Sequence, residues 1–277
     1  MTAPAAGRPE SARTVHVEHC MGTAFTIDIR DPGEWSEAIA AVVSWLHLVD
    51  ATFSTYRHDS DISRIRRGGL RVADAAPDVA TVLGLCARAQ RVTDGFFTSL
   101  PHGQLDPTGL VKGWSIERAS ELLRARGSGN HAVNGGGDMQ LAGEAAPGRP
   151  WTVGISDPHD RSRVLCTVSG RGVAVATSGV GERGRHIVDP FIGREATGLA
   201  AVTVIGPALT DADAYATAAV AMGPGARAWV ESLDGHDALL VADDGSVRCT
   251  SGWLRRTAGW RIQVHEGAPF PCGGRVP

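Results

Sequence analysis

The sequence has no long apolar run and few aromatic residues, which make up 5% of its 277 residues. No stretch of about 18 apolar residues is present, which argues against a transmembrane helix. Residues 1–13 lack the apolar core of a secretory signal peptide. The cysteines are dispersed with no Cys-x-x-Cys pair, which argues against a disulfide framework and a structural zinc site. They are Cys20, Cys86, Cys166, Cys249 and Cys272. We therefore predict a cytoplasmic protein with reduced thiols and no membrane segment of its own.

The formal net charge of -3 gives no basic footprint for nucleic acid, so we predict no nucleic-acid partner. The content of hydrophobic residues, 43%, and of charged residues, 21%, is that of a globular chain with a buried core. No internal repeat or linker divides the chain. We predict a disordered N-terminal tail over residues 1–13, one domain over residues 14–262, and a flexible C-terminal tail over residues 263–277.

Strand and helix patterns are mixed along the chain without strict alternation. Apolar and polar residues alternate at 24–29, which predicts a strand. Helical spacing predicts helices at 35–50, 78–94, 115–126 and 211–222. This mixture favours an α+β fold of two intertwined halves, with mixed, largely antiparallel sheets and flanking helices.

Asp213 and Thr217 lie four residues apart in the last of these helices, so they share one helix face. Both side chains offer oxygen, the donor that Mg²⁺ prefers. The alternative is that Asp213 interacts with the helix dipole while Thr217 faces the core.

A run of Arg-His-Ile-Val-Asp-Pro at 185–190 follows a Gly-rich loop and a Thr-Ser-Gly turn that contains Ser178. The neutral imidazole of His186 is a candidate general base for a hydroxyl nucleophile. The alternative is a structural histidine bonded to a loop carbonyl.

Three further segments offer binding groups, each with a plainer interpretation. Residues 134–138, Asn-Gly-Gly-Gly-Asp, let backbone amides approach a ligand, or form an ordinary turn. Residues 105–114 place Asp106 and Lys112 before a helix, where they either meet one ligand or form a surface turn. Tyr56, upstream of a helix-capping Ser60, either stacks on a flat ring or packs in the core.

In their order along the chain, these motifs resemble those of the FAD:protein FMN transferase family, also called the ApbE family. The resemblance covers residues 21 to 222. Its segments are 21–23 (Met-Gly-Thr), 53–56 (Phe-Ser-Thr-Tyr), 60–64 (Ser-Asp-Ile-Ser-Arg), 94–98 (Asp-Gly-Phe-Phe-Thr), 106–114, 134–138, 176–179 (Ala-Thr-Ser-Gly), 185–190 and 212–217 (Ala-Asp-Ala-Tyr-Ala-Thr). Each segment alone is a weak signal, and their shared order makes the resemblance specific.

The resemblance implies a domain of ApbE type and a specific reaction. Mg²⁺ binds the FAD pyrophosphate, a Ser or Thr hydroxyl of an acceptor protein attacks the FMN-side phosphorus, and AMP leaves. It implies His186 as the base, with Asp213, Thr217 and the Gly109 carbonyl as metal ligands. The implied FAD-binding residues are Met21, Tyr56, Phe96, Phe97, Asp106, Lys112, Gly136, Asp138 and Ser178.

The chain departs from the family pattern at several positions. Phe97 stands where Asp is frequent, Thr108 where a first Gly is usual, and Ile192 where Thr usually follows Asp-Pro. Ala216 stands where some members add a carboxylate to the metal site. Many members are also exported or lipid-anchored, whereas no signal peptide is recognised here.

Two other functions fit the same residues. A Mg²⁺-dependent FAD pyrophosphatase would use water in place of the protein hydroxyl and would give free FMN and AMP. A non-catalytic FAD-binding protein would need no base, so the joint presence of Asp106, His186, Asp213 and Thr217 argues against it.

Overall fold

The computed structural model describes residues 13–180, 184, 187–253 and 260–264. They form an α+β domain, which confirms the predicted fold class. The strands are β1 (Thr14–Cys20), β2 (Thr23–Ile29), β3 (His131–Gly135), β4 (Asp138–Ala142), β5 (Glu144–Ala146), β6 (Arg149–Ser156), β7 (Val164–Gly170), β8 (Ala174–Gly179), β9 (Val188–Asp189), β10 (Arg194–Glu195), β11 (Leu199–Gly206), β12 (Asp237–Ala242), β13 (Val247–Cys249) and β14 (Trp260–Val264). The helices are α1 (Ser36–Phe53), α2 (Asp61–Arg66), α3 (Pro77–Val92), α4 (Thr108–Ala125), α5 (Leu209–Met222) and α6 (Ala226–Glu231).

Eight strands form the main sheet in the order β1-β2-β3-β4-β8-β11-β12-β13, and all neighbours are antiparallel. The chain leaves this sheet after β4, contributes to a four-stranded sheet in the order β14-β7-β6-β5, and returns at β8. Strands β9 and β10 form a separate hairpin. Because β4 and β8 are neighbours, early and late parts of the chain meet in the middle of one sheet.

The main sheet separates two apolar cores. On one face, Ile27 and Val204 join the core that contains residues of α1, α4 and α5. On the other, Ile205 and Val241 pack with Val168 of the second sheet. Successive residues of a strand point to opposite faces, so a run such as β11 is buried on both.

The largest difference from the sequence prediction is the start of α4, at Thr108 rather than residue 115. Gly109 and Gly113 lower the helix propensity of this first part, and tertiary packing overrides that preference. Lys112 is therefore a helix residue and not part of a turn. Among the described helices, none combines the length and apolar character needed to cross a bilayer.

Candidate active site

Asp106 shapes the start of α4. Its Oδ1 accepts hydrogen bonds from the Thr108 N–H at 3.0 Å and from the Thr108 hydroxyl at 2.6 Å. The first N–H groups of a helix lack intrahelical partners, so a carboxylate at this place stabilises the first turn. Asp106 thereby stabilises the start of the helix that carries Gly109 and Lys112.

Gly113 allows α4 and α5 to cross at close range. A Cβ atom at this position would lie 2.6 Å from Asp213 Cβ and 2.6 Å from the Leu209 carbonyl oxygen. The Gly113 N–H donates to Asp213 Oδ2 at 2.8 Å. In a regular α-helix this N–H is the partner of the Gly109 carbonyl. The Asp213 carboxylate therefore lies against the first turns of α4, one turn from Gly109.

Gly109 of α4 lies beside Thr217. A Cβ atom on Gly109 would lie 3.7 Å from Thr217 Cγ2 and 3.4 Å from Phe97 Cε2. The Thr217 hydroxyl lies 3.1 Å from the Ser178 hydroxyl of β8. Asp213 and Thr217 both lie on α5, as their spacing predicted. Four predicted site residues, Gly109, Ser178, Asp213 and Thr217, are thus brought together by α4, β8 and α5.

The Asp213 carboxylate is buried, with 3% of the residue exposed. Burial raises its pKa to about 7, against the lowering effect of Lys112 and together with the raising effect of Asp138. A buried carboxylate is costly unless a positive charge compensates it. A bound cation would provide that compensation, and the oxygen donors around Asp213 suit Mg²⁺.

This donor set contains one carboxylate. Within the described ranges, no group of three His, Cys, Asp or Glu side chains could hold a metal ion. Ala216 stands at the position where the family resemblance would allow a further carboxylate ligand. Its side chain is fully buried and offers no oxygen to a metal. A cation at Asp213 would therefore depend on hydroxyl, carbonyl and water oxygens for its other ligands.

Lys112 and Asp138 form an ion pair beside Asp213. Lys112 Nζ lies 2.6 Å from Asp138 Oδ2, and Asp138 Oδ1 accepts the Thr177 N–H at 2.9 Å. Asp138 is fully buried and follows the turn of Gly136 and Gly137, whose φ angles are 59° and 91°. In this geometry the Asp138 oxygens face protein groups, so its carboxylate holds the Lys112 ammonium in place.

The predicted aromatic contacts differ in their surroundings. Tyr56 is 91% exposed, so the alternative in which it packs in the core is wrong. Phe96 makes an edge-to-face contact with Phe191, with ring centroids 4.8 Å apart. Phe97 is 2% exposed, and its N–H donates to Thr93 Oγ1 at 2.9 Å. Phe97 therefore supports the site from the core, while Tyr56 presents its ring to the outside.

Met21, like Tyr56 and Phe96, is not tied to this cluster by described contacts. Met21 forms the turn between β1 and β2 with Gly22, at φ angles of 50° and 72°, and packs partly against the core. His186 lies outside the described residues. Asp189, three residues later, accepts the Phe191 N–H at 2.8 Å and so shapes the turn between β9 and β10.

A family model described as the ApbE family matches residues 21–101 and 98–240. The matched ranges cover most of the chain and contain Met21, Lys112, Asp213 and Thr217. The chain belongs to the ApbE family. The resemblance found from the order of the motifs is confirmed.

Several relatives of this ApbE chain are named FAD:protein FMN transferase. The one from Treponema pallidum is 34% identical over 172 residues, which are 55% of this chain and 48% of the relative. The one from Rhodobacter capsulatus is 29% identical over 252 residues, 87% of this chain and 45% of the relative. The one from Vibrio cholerae is 26% identical over 305 residues, 87% of this chain and 91% of the relative. The chain thus spans about half the length of the first two relatives.

Solved structures share its fold. The Pseudomonas stutzeri flavinyl transferase ApbE in its apo form has a TM-score of 0.77 and 24% identity, over 88% of this chain and 96% of that one. The Vibrio cholerae flavin transferase ApbE has a TM-score of 0.75 and 22% identity, over 87% and 97%. These likenesses support a single α+β domain of ApbE type.

Sequence reasoning missed the groups that hold α5 in place. Ala208 precedes this helix and has no side-chain acceptor. Instead, the Leu209 N–H donates to Gln140 Oε1 at 3.0 Å and the Thr210 N–H to Glu117 Oε2 at 2.8 Å. Both acceptors come from distant parts of the chain, so no local capping pattern could reveal them.

Proposed function

We propose that this ApbE chain transfers FMN from FAD to a Ser or Thr hydroxyl of an acceptor protein and releases AMP. Membership of the family and the names of its relatives support flavin transfer. The observation that carries the proposal is the buried Asp213 carboxylate, one helical turn from Thr217 and within electrostatic range of Lys112. A pyrophosphate that is bound and split needs such fixed charges, because phosphoryl transfer depends mainly on positioning and charge stabilisation.

Mg²⁺ would be held by Asp213, the Thr217 hydroxyl and the Gly109 carbonyl. When bound, it would supply positive charge against the pyrophosphate oxygens. Ser178 orients the Thr217 hydroxyl through their 3.1 Å contact. The Gly113 N–H holds the Asp213 carboxylate in place from the α4 side.

Lys112 would add a second positive charge at the pyrophosphate. Its ammonium is held at 2.6 Å by Asp138, whose carboxylate is fixed in turn by the Thr177 N–H. The Lys112 side chain is 30% exposed, so one side of it faces outward while Asp138 lies behind it. This arrangement aims a long, flexible side chain at one position.

His186 would take the proton of the acceptor hydroxyl. As the hydroxyl oxygen forms its bond to the FMN-side phosphorus, the bond from that phosphorus to the AMP-side oxygen breaks, and the proton passes to the imidazole. A positioned base of this kind adds about 10²–10⁴-fold to a rate. The role rests on the motif at 185–190.

The flavin ring would lie against the exposed Tyr56 and the partly buried Phe96 and Met21. Aromatic faces and a thioether offer flat or adaptable apolar contacts. The backbone at Gly136 and the Ser178 hydroxyl would contribute polar contacts to the dinucleotide. Phe97 keeps Gly109 in position from the core.

The direct test incubates the purified chain with FAD, Mg²⁺ and an acceptor protein of the Vibrio cholerae FAD:protein FMN transferase. We expect flavin fluorescence on the denatured acceptor, a mass increase equal to one FMN, and one AMP released for each acceptor modified. The matched control is Asp213→Asn, which keeps the shape and the acceptor for the Gly113 N–H but removes the charge.

Each other result contradicts the transferase proposal in a distinct way. Free FMN and AMP with no acceptor labelling would indicate a Mg²⁺-dependent FAD pyrophosphatase. Bound but unchanged FAD would indicate a flavin-binding protein. Failure to bind FAD at micromolar concentration with Mg²⁺ present would exclude all three.

A further inference from the structure

Strand β1 lies at one edge of the main sheet. β1 ends the main sheet, and no strand in the described ranges pairs with its outer side. Residues 14–20 contain neither Pro nor Lys, which commonly block edge-to-edge pairing, and Glu18 is the one charged residue among them. Val15 and Val17 are 45% and 51% exposed. An edge with these properties is suited to pair with another strand.

The backbone groups of this edge follow from the turn beside it. Met21 and Gly22 both have positive φ, as in the two-residue hairpin turns that make the flanking residues a hydrogen-bonded pair. The backbone N–H and C=O groups of Cys20 therefore form hydrogen bonds with β2, and so do those of every second residue before it. The N–H and C=O groups of Val15, Val17 and His19 point to the open edge.

We propose that β1 pairs antiparallel with β1 of a second copy of this chain, across a two-fold axis at Val17. This is the register that pairs all seven residues of the strand. It places Val15 opposite the partner's His19 and Val17 opposite the partner's Val17, which are the residues whose backbone groups point outward. Three such pairs, with two bonds each, give roughly six hydrogen bonds between the strands.

The side chains on the helix-facing side match in this register. His16 lies opposite the partner's Glu18, and this pairing occurs twice because of the two-fold axis. Within one chain, Glu18 already accepts from histidines on two sides, with Oε2 3.4 Å from His16 Nε2 and Oε1 3.0 Å from His47 Nε2. A histidine N–H can donate to a carboxylate across the strands, whereas two carboxylates opposite each other oppose pairing. The strand is thus complementary to itself.

The other face of the strand adds apolar contact. The two Val17 side chains meet at the axis, and Val15 lies beside them on the face away from α1. A strand pair of this length buries less than the roughly 1,000 Å² typical of stable complexes. We therefore expect a dimer with a dissociation constant in the micromolar range, and monomers at high dilution.

Sedimentation velocity of the full chain across nanomolar to high micromolar concentrations tests this dimer. Val17→Pro removes an outward N–H that β2 does not use, so the fold should persist while dimerisation weakens at least tenfold. Val17→Lys should act likewise. The control is Val92→Lys at another partly exposed valine, 37% exposed, which should dimerise as the wild type does.

A charge exchange tests the register. His16→Glu places two carboxylates opposite each other and should weaken the dimer at least tenfold. His16→Glu combined with Glu18→His restores a histidine opposite a carboxylate and should recover most of the affinity. Circular dichroism and thermal unfolding confirm that each variant folds. A wild-type chain that stays monomeric at every concentration, a dimer unaffected by both Val17 variants, or a double exchange that rescues nothing would overturn the proposal.

Discussion

Gly113 lies where α4 and α5 cross, and its replacement by Ala tests whether this crossing builds the site. The added methyl would lie 2.6 Å from the Leu209 carbonyl oxygen and from Asp213 Cβ. A backbone oxygen cannot yield as a flexible side chain can, so the helices must move apart. Overpacking of this kind costs about 1–3 kcal/mol, and the better helix propensity of Ala offsets about 1 kcal/mol.

The expected net loss of stability for Gly113→Ala is about 0–2 kcal/mol, or up to about 8 °C in Tm for a domain of this size. The loss of activity should be larger. Separation of the helices moves Asp213 and its bond to the Gly113 N–H away from Gly109, and a displacement of about 1 Å can reduce a rate by about 10²-fold. We expect FMN transfer to fall at least tenfold, measured by flavin fluorescence on the acceptor.

Gly84 provides the matched control, because it lies inside α3 and no other atom lies within 4 Å of its Cβ position. Gly84→Ala should gain up to about 1 kcal/mol from helix propensity and should leave the transfer rate unchanged. If Gly113→Ala matches Gly84→Ala in both Tm and rate, then α4 and α5 do not meet as closely as this site requires.

Three further outcomes are expected. Asp213→Ala should remove Mg²⁺-dependent turnover while the circular dichroism spectrum stays unchanged, and EDTA should remove the turnover of the wild type. Near-normal rates of Asp213→Ala at saturating FAD would show that Asp213 has only a structural role. His186→Ala should reduce transfer about 10²-fold or more with little change in FAD affinity. The wild-type rate should fall at acidic pH, because only a neutral imidazole accepts a proton. If His186→Ala transfers FMN normally but binds FAD poorly, His186 is a binding residue. Burial lowers the pKa of His131 to about 4, below its ordinary value of about 6.5. The free energy of unfolding therefore falls as the pH drops from about 6.5 to about 4. In urea unfolding, His131→Gln should lose about 2 kcal/mol less of this free energy between pH 7 and pH 5 than the wild type does. Equal losses in the two proteins would show that His131 does not contribute to acid unfolding.

The sequence predicted those features of the site that depend on neighbours along the chain. The four-residue spacing of Asp213 and Thr217 indicated one helix, and both lie on α5. The motif order, from Met21 onward, indicated the family that the family model then matched. Such patterns are readable because helical period and short motifs involve residues within a few positions of each other.

The start of α4 shows where local reasoning failed. Glycines are poor helix residues, so the segment before residue 115 resembled a loop, yet the helix begins at Thr108. Gly113 is in the helix because it approaches Asp213 and the Leu209 carbonyl more closely than a side chain would allow, whereas a Cβ atom on Gly109 would make only ordinary contacts. Propensity alone cannot distinguish a glycine that ends a helix from one that lets two helices meet.

The sequence by itself determined the family, the fold class and the residue types at the site. Only the tertiary structure decided that the Gly113 N–H meets a carboxylate 100 residues away, and that Asp138 faces Lys112 and Thr177 rather than open space. Contacts between residues so distant in the chain depend on how β4, β8, α4 and α5 pack in three dimensions. Their close packing sets the distances, the burial and hence the raised pKa of Asp213.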